Sequence, residues 1–176
     1  GQAKKYRISD KTIKIITNEA KKRNYTPSIL AQSLRTNVTH TIGLIIPSID
    51  NPFFANIASL IIKNAKENNY TVILADSMEN EKDEKEAIRS LLSHNVDGCI
   101  IIPSGNNPTH LEALNKSGTP IMLIDRYFSD SPLPYVTTDN TKGAIDATLH
   151  LINNGHKRIA CIQGLAHLTP GQERIK

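Results

Sequence analysis

From Thr41 onward the chain repeats one pattern. Short apolar runs, TIGLIIP, YTVILAD, DGCIIIP, PIMLID, YVTTD and KRIACIQG, alternate with longer stretches whose apolar residues recur at helical spacing. Runs of this length, rich in Ile and Val and apolar at consecutive positions, suit strands buried on both faces. The stretches between them, 53–69, 81–94, 108–117 and 141–154, each carry a helical stripe; Phe54, Ile57, Ala58, Ile61, Ile62 and Ala65 form the first. Strand and helix alternation predicts an α/β fold with a parallel, doubly wound sheet. With 176 residues the chain has room for two compact units at most.

The segment before Thr41 is of another kind. A helix is expected from Lys11 to Asn24, capped by Ser9 or Asp10, with Ile13, Ile16 and Ala20 along one side. NYTP then interrupts it, since Pro27 disfavours helix at the residue before it but suits the first turn of a new one. A second short helix, PSILAQSLRT, and a linker follow. Charge divides at the same place. Residues 1–40 hold nine Lys and Arg against two Asp and Glu, a balance of +7, whereas residues 41–176 hold twelve against fifteen, a balance of −3. A cationic head on a mildly acidic body suits a polyanion partner, because Lys and Arg gain affinity by releasing counterions from a nucleic-acid backbone. A solvated basic helix would carry the same charge.

No apolar run approaches the ~18 residues of a membrane span, and the charged first thirty residues do not read as a secretory leader, so the expectation is a cytoplasmic chain. Cys99 and Cys161 both lie in apolar runs, where a thiol is expected to behave as a small buried hydrophobe. A disulfide framework is not expected.

In an open α/β sheet, ligands bind beyond the carboxyl ends of the strands. Those ends carry PSIDNPFF after the first strand, Asp76 and Ser77 after the second, Pro103 and Ser104 after the third, Asp125, Arg126 and Tyr127 after the fourth, and Asp139 and Asn140 after the fifth. Carboxylates and a guanidinium can hydrogen-bond neighbouring hydroxyls while aromatic faces cover C–H patches, so the inventory suits a neutral, hydroxyl-rich ligand such as a sugar or nucleoside. Asn140, Ser77 and Asp50 are expected to serve as turn and cap residues instead. The sequence contains no nucleophile elbow, no phosphate-cradling Gly-rich loop and no dinucleotide fingerprint after the first strand. His40, His94, His110, His150, His156 and His167 lack metal-ligand spacing with one another or with Cys, and are expected at the surface or at helix ends. Neither a metal, a cofactor nor a catalytic residue is expected. The acidic run Glu79–Glu86 is expected to form solvated first turns of a helix.

Taken in order, SDKTIKIITNEAKKRNYTPSILAQSLRT, TIGLIIPSIDNPFFANI, NVDGCIIIPS, PIMLIDR, VTTDN, LINNGHKRIACIQG and the Arg of GQER resemble the lactose/galactose-repressor (LacI/GalR) family of bacterial transcription regulators over essentially the whole chain. The resemblance implies a periplasmic-binding-protein-like core, incomplete here, behind a helical headpiece remnant and a hinge helix. Residues 1–26 would be the end of a helix-turn-helix headpiece, 27–40 the hinge helix and linker, 41–138 the first core subdomain and 139–176 the start of the second. Two further headpiece helices would precede this chain, and the remainder of the second subdomain would follow it. A lone strand and helix cannot bury a full core, so residues after Asp139 are expected to need support from further chain.

The family arrangement implies that the hinge helix enters the minor groove of operator DNA, with Leu34 wedged between base pairs, Ala31 and Gln32 beside it and Arg35 near a phosphate. Ser28 stands where the family often has Asn, a departure at a polar contact. The implied effector contacts are Phe53, Phe54, Asp125, Asp139 and Arg174; strand-end geometry adds Asn51, Asp76 and Arg126. The implied partners are double-stranded operator DNA, a small sugar or nucleoside-like effector and a second copy of the chain, with room for a phosphoprotein co-repressor, and no membrane. A sugar-binding transport protein with the same core is the alternative, against which the basic head argues.

Overall fold

The computed structural model describes residues 8–25, 36 and 38–175. The chain divides between Thr39 and His40 into two units. In the first, helix α1 spans Asp10–Lys22, where Ser9 caps the amino end by accepting a hydrogen bond from the Thr12 amide. None of its residues is buried, and Ile15 and Ile16 are both more than half exposed. The hinge-helix residues Ser28, Ala31, Gln32, Leu34 and Arg35 lie outside the described residues.

The second unit is built on five strands, β1 (Thr41–Ile46), β2 (Thr71–Asp76), β3 (Gly98–Ile101), β4 (Ile121–Ile124) and β5 (Tyr135–Val136). All pair in parallel, in the order β2-β1-β3-β4-β5. Connecting them are α2 (Pro52–Glu67), α3 (Glu81–Ser93) and α4 (Thr109–Lys116); α5 (Asn140–Asn153) and α6 (Thr169–Glu173) follow the sheet. Strand alternation sorts β1 between two core layers. Ile45 joins Ile88, Leu91, Ile101, Leu111 and Leu123 on one face, and Leu44 and Ile46 join Phe54, Ala58 and Ile102 on the other. Burial on both faces explains why these strands read as continuous apolar runs rather than as alternation.

Helix starts follow local chemistry. Asn51 accepts from the Phe53 amide at 3.0 Å with Pro52 in the first turn of α2, Asn80 accepts from the Lys82 amide at 2.7 Å at α3, and Asp139 accepts from the Lys142 amide at 2.9 Å at α5. The strand order matters most for function. The chain leaves β1 for β2 on one side, then returns across the sheet to β3 on the other. In sheets of this order the loops at the carboxyl ends of β1 and β3 diverge, and ligands bind along that edge.

Two sequence expectations fail in the last forty residues. KRIACIQG forms no strand, and Ile162 is 97% exposed. Cys161 is likewise exposed, whereas Cys99 is buried and its thiol pushed up to about 11 by desolvation. Strand propensity alone does not make a strand: among the described residues this segment has no neighbouring strand to satisfy its backbone, and α5 beside it leaves Ile145, Leu149 and Ile152 about half exposed.

Candidate effector crevice

The end of β4 has the most constrained backbone of the site. Asp125 has φ +63, and the Arg126 amide donates to the Ile124 carbonyl at 2.7 Å, closing a tight three-residue γ-turn. The Asp125 amide donates to Val136 and its carbonyl accepts from the Thr137 hydroxyl, so β5 holds the turn in place. Its carboxylate, by contrast, accepts no hydrogen bond among the described residues. Burial raises the Asp125 pKa from its ordinary value, an effect opposed by the charges of Arg126 and Arg174. A residue at positive φ presenting an unspent, half-buried carboxylate just beyond β4 is arranged to meet something from outside.

Arg126 is committed differently. It is 7% exposed, and its guanidinium makes a bidentate pair with Glu79 at 2.7 and 2.8 Å, donates to the Pro103 carbonyl at 3.1 Å, and lies 5.3 Å from the centre of the Phe54 ring. One side chain thus joins the carboxyl ends of β2, β3 and β4 to the start of α2. Phe54 is buried beneath it, while Phe53 is half exposed and packs edge-on to Phe54 at 5.3 Å. Asp76 spends both carboxylate oxygens on its own edge, accepting from the Ile49 and Met78 amides at 2.8 Å each. Asn51 caps α2 and Asp139 caps α5, so each spends a side-chain oxygen on a helix start.

Two cavities adjoin this edge. One of about 240 Å³ is lined by Arg126, Tyr127, Asn106, Asp130, His167 and Thr169. The other, about 610 Å³, is lined by Asp139, Asn140, Gln163 and Arg174 together with apolar side chains of α5. The structure therefore groups Phe54 with Arg126, and Asp139 with Arg174, and sets Asp125 between the two arginines electrostatically. Asn51, Phe53, Phe54, Asp76 and Asp125 line neither cavity.

The acidic run Glu79–Glu86, expected as solvated helix turns, is in part interior. Glu79 holds Arg126, and Glu84 is fully buried, accepting from the Ser104 amide at 2.7 Å with His110 Nε2 2.6 Å from its other oxygen. Helical spacing could have revealed this. Glu84 lies one turn before Ile88 and two before Leu91, on the buried stripe of α3. Ser77 and Asn140, expected as turn and cap residues, are also interior: Ser77 shares a 2.6 Å hydrogen bond with Ser104, and Asn140 accepts from Arg174 Nε at 2.9 Å and donates to Glu173 at 3.1 Å. Tyr127, stacked on Tyr135 with centroids 4.0 Å apart, donates its hydroxyl to Glu173, which drives its pKa up to about 12.

An open parallel sheet with polar side chains gathered beyond its carboxyl edge is the architecture of a ligand-binding α/β domain. The corresponding family model, periplasmic binding proteins and sugar binding domain of LacI family, matches residues 39–174, and the chain belongs to this family. Catabolite control protein A of Priestia megaterium is 34% identical over 157 residues, covering 89% of this chain and 47% of that protein. The ribose operon repressor of Halalkalibacterium halodurans is 34% identical over 173 residues, covering 98% and 51%. Among solved structures, the transcription regulator CcpA of Lactococcus lactis superposes with a TM-score of 0.69 at 31% identity, over 77% of this chain and 50% of that one. The chain spans about half the length of the relatives it matches.

Proposed function

We propose that the chain is part of a cytoplasmic, homodimeric transcription regulator, in the sense of a repressor, whose affinity for operator DNA is switched by a small sugar or nucleoside-like effector. The observation that carries this reading is the Asp125 turn, which holds a half-buried carboxylate at the end of β4 that accepts no hydrogen bond among the described residues. Effector contacts are assigned to Phe53, Phe54, Asp125, Asp139 and Arg174, with Asn51, Asp76 and Arg126 shaping the edge on which they sit. DNA contacts are assigned to Ser28, Ala31, Gln32, Leu34 and Arg35, in keeping with the +7 balance of residues 1–40. No catalytic role is assigned.

An effector can shift such a protein only through unequal affinity for its two arrangements. The test is operator binding by the full-length protein, followed by fluorescence anisotropy during titration with a panel of sugars and nucleosides. A change in operator affinity with one member, lost in Asp125→Asn, supports the reading. Operator affinity that no member of the panel moves would refute the switch, and sugar binding without any DNA binding would favour a transport-type protein.

A further inference from the structure

Glu79 sits in an unusual stretch of backbone. Met78 and Glu79 are consecutive non-glycine residues with φ +48 and +54, a conformation that L side chains disfavour and that persists only when its surroundings enforce it. Three backbone donors do so: the Met78 amide binds Asp76, the Glu79 amide binds the Pro47 carbonyl at 2.8 Å, and the Asn80 amide binds the Ser77 carbonyl at 2.8 Å. The result is that Glu79, with its side chain 41% exposed, is presented to Arg126, whose side chain is 8% exposed.

A free guanidinium at the mouth of a ligand crevice can take a phosphate as well as sugar hydroxyls, since its fork matches two phosphate oxygens. Here the fork is filled by a carboxylate of the chain itself. The carboxyl edge of the sheet reinforces the effect, carrying Asp50, Asp76, Glu79, Asp125, Asp130 and Asp139 against Arg126, with Arg174 just after α6. We propose that Glu79 is a specificity-determining residue: by occupying Arg126 it makes the crevice select an uncharged hydroxyl-rich effector and refuse the phosphomonoester of the same sugar. An incoming phosphate would have to displace Glu79 and leave that carboxylate facing the anion, whereas a neutral hydroxyl can accept one remaining guanidinium proton without disturbing the pair.

This inference rests on the effector-binding reading, and the experiment separates the two. Calorimetric titration of the full-length protein uses D-ribose, D-fructose, D-glucose and adenosine, each beside its phosphomonoester. Wild type should bind at least one neutral compound at least tenfold more tightly than its phosphomonoester. Glu79→Gln should raise affinity for the phosphomonoester at least tenfold while moving the neutral compound by no more than about threefold. Glu79→Asp, which keeps the charge, should still refuse it. Wild type binding a phosphomonoester as tightly as its neutral parent would overturn the role of Glu79 and leave effector binding standing. No binding of any compound, neutral or phosphorylated, would overturn both. Unchanged phosphomonoester affinity in Glu79→Gln would overturn the role of Glu79; should that variant fail to fold, Glu79→Ser is read in its place against the same tenfold expectation.

Discussion

Replacing Glu84 by Ala removes an acceptor from the interior of the fold. Glu84 is fully buried on α3, one oxygen accepting from the Ser104 amide at 2.7 Å and the other 2.6 Å from His110 Nε2. In the alanine variant the Ser104 amide loses its acceptor just after β3, and an unsatisfied buried donor costs about 1–3 kcal/mol. Two methylenes' worth of packing adds roughly 1.5 kcal/mol, and release of a carboxylate from the interior offsets part of the total. The net expectation is a loss of about 3 kcal/mol. With a denaturant slope of about 2 kcal/mol/M, the urea midpoint should fall by about 1.5 M, measured by circular dichroism. Glu84→Gln separates the causes. Its amide oxygen can still accept from Ser104 and its amino group can face a re-tautomerised His110, so the loss should stay near 1 kcal/mol. A Glu84→Ala protein within about 0.5 kcal/mol of wild type would refute the reasoning, since it would mean that Ser104 finds another acceptor or that the pair contributes nothing net.

Two further outcomes follow from the site. Burial raises the Asp125 pKa, so the folded state holds that proton more tightly than the unfolded chain and stability declines as pH rises through the folded-state value. Asp125→Asn, which also tolerates positive φ, should therefore raise the thermal midpoint of the effector-free protein at neutral pH while weakening effector binding at least tenfold; a lower midpoint would contradict the burial argument. Tyr127 should ionise near 12 in an absorbance titration, and Glu173→Gln should bring it down towards the ordinary value of 10.0. The stability from this hydrogen bond is present below pH 10 and lost as pH climbs through about 12, so Tyr127→Phe should cost about 1 kcal/mol at neutral pH; no change in either measurement would sink the assignment.

Much of the architecture can be read from the sequence because it depends on local periodicity. The apolar runs at 41–47, 70–76, 97–103 and 120–125 contain β1 to β4, and the stripes between them contain α2, α3 and α4. Within the site, the position of Asp125 and Arg126 at the end of β4 is equally local. KRIACIQG shows the limit of such reasoning, since its pattern is a strand's but pairing requires a neighbour. So does the acidic run 79–86, where a composition-level reading missed that Glu84 lies on the buried side of its helix.

The sequence by itself determined the alternation of strand and helix, the cap at Ser9, and the separation of a cationic head from an acidic body, because each depends on residues a few positions apart or on summed charge. Tertiary structure alone decided which polar side chains are spent and which are free. Arg126 and Glu79 are 47 residues apart, and Tyr127 and Glu173 are 46 apart. Whether such groups meet depends on strand order and crossover geometry, so the same Asp or Arg can be a loop anchor, a partner in a buried pair or a ligand contact, according to what the fold brings within hydrogen-bonding distance.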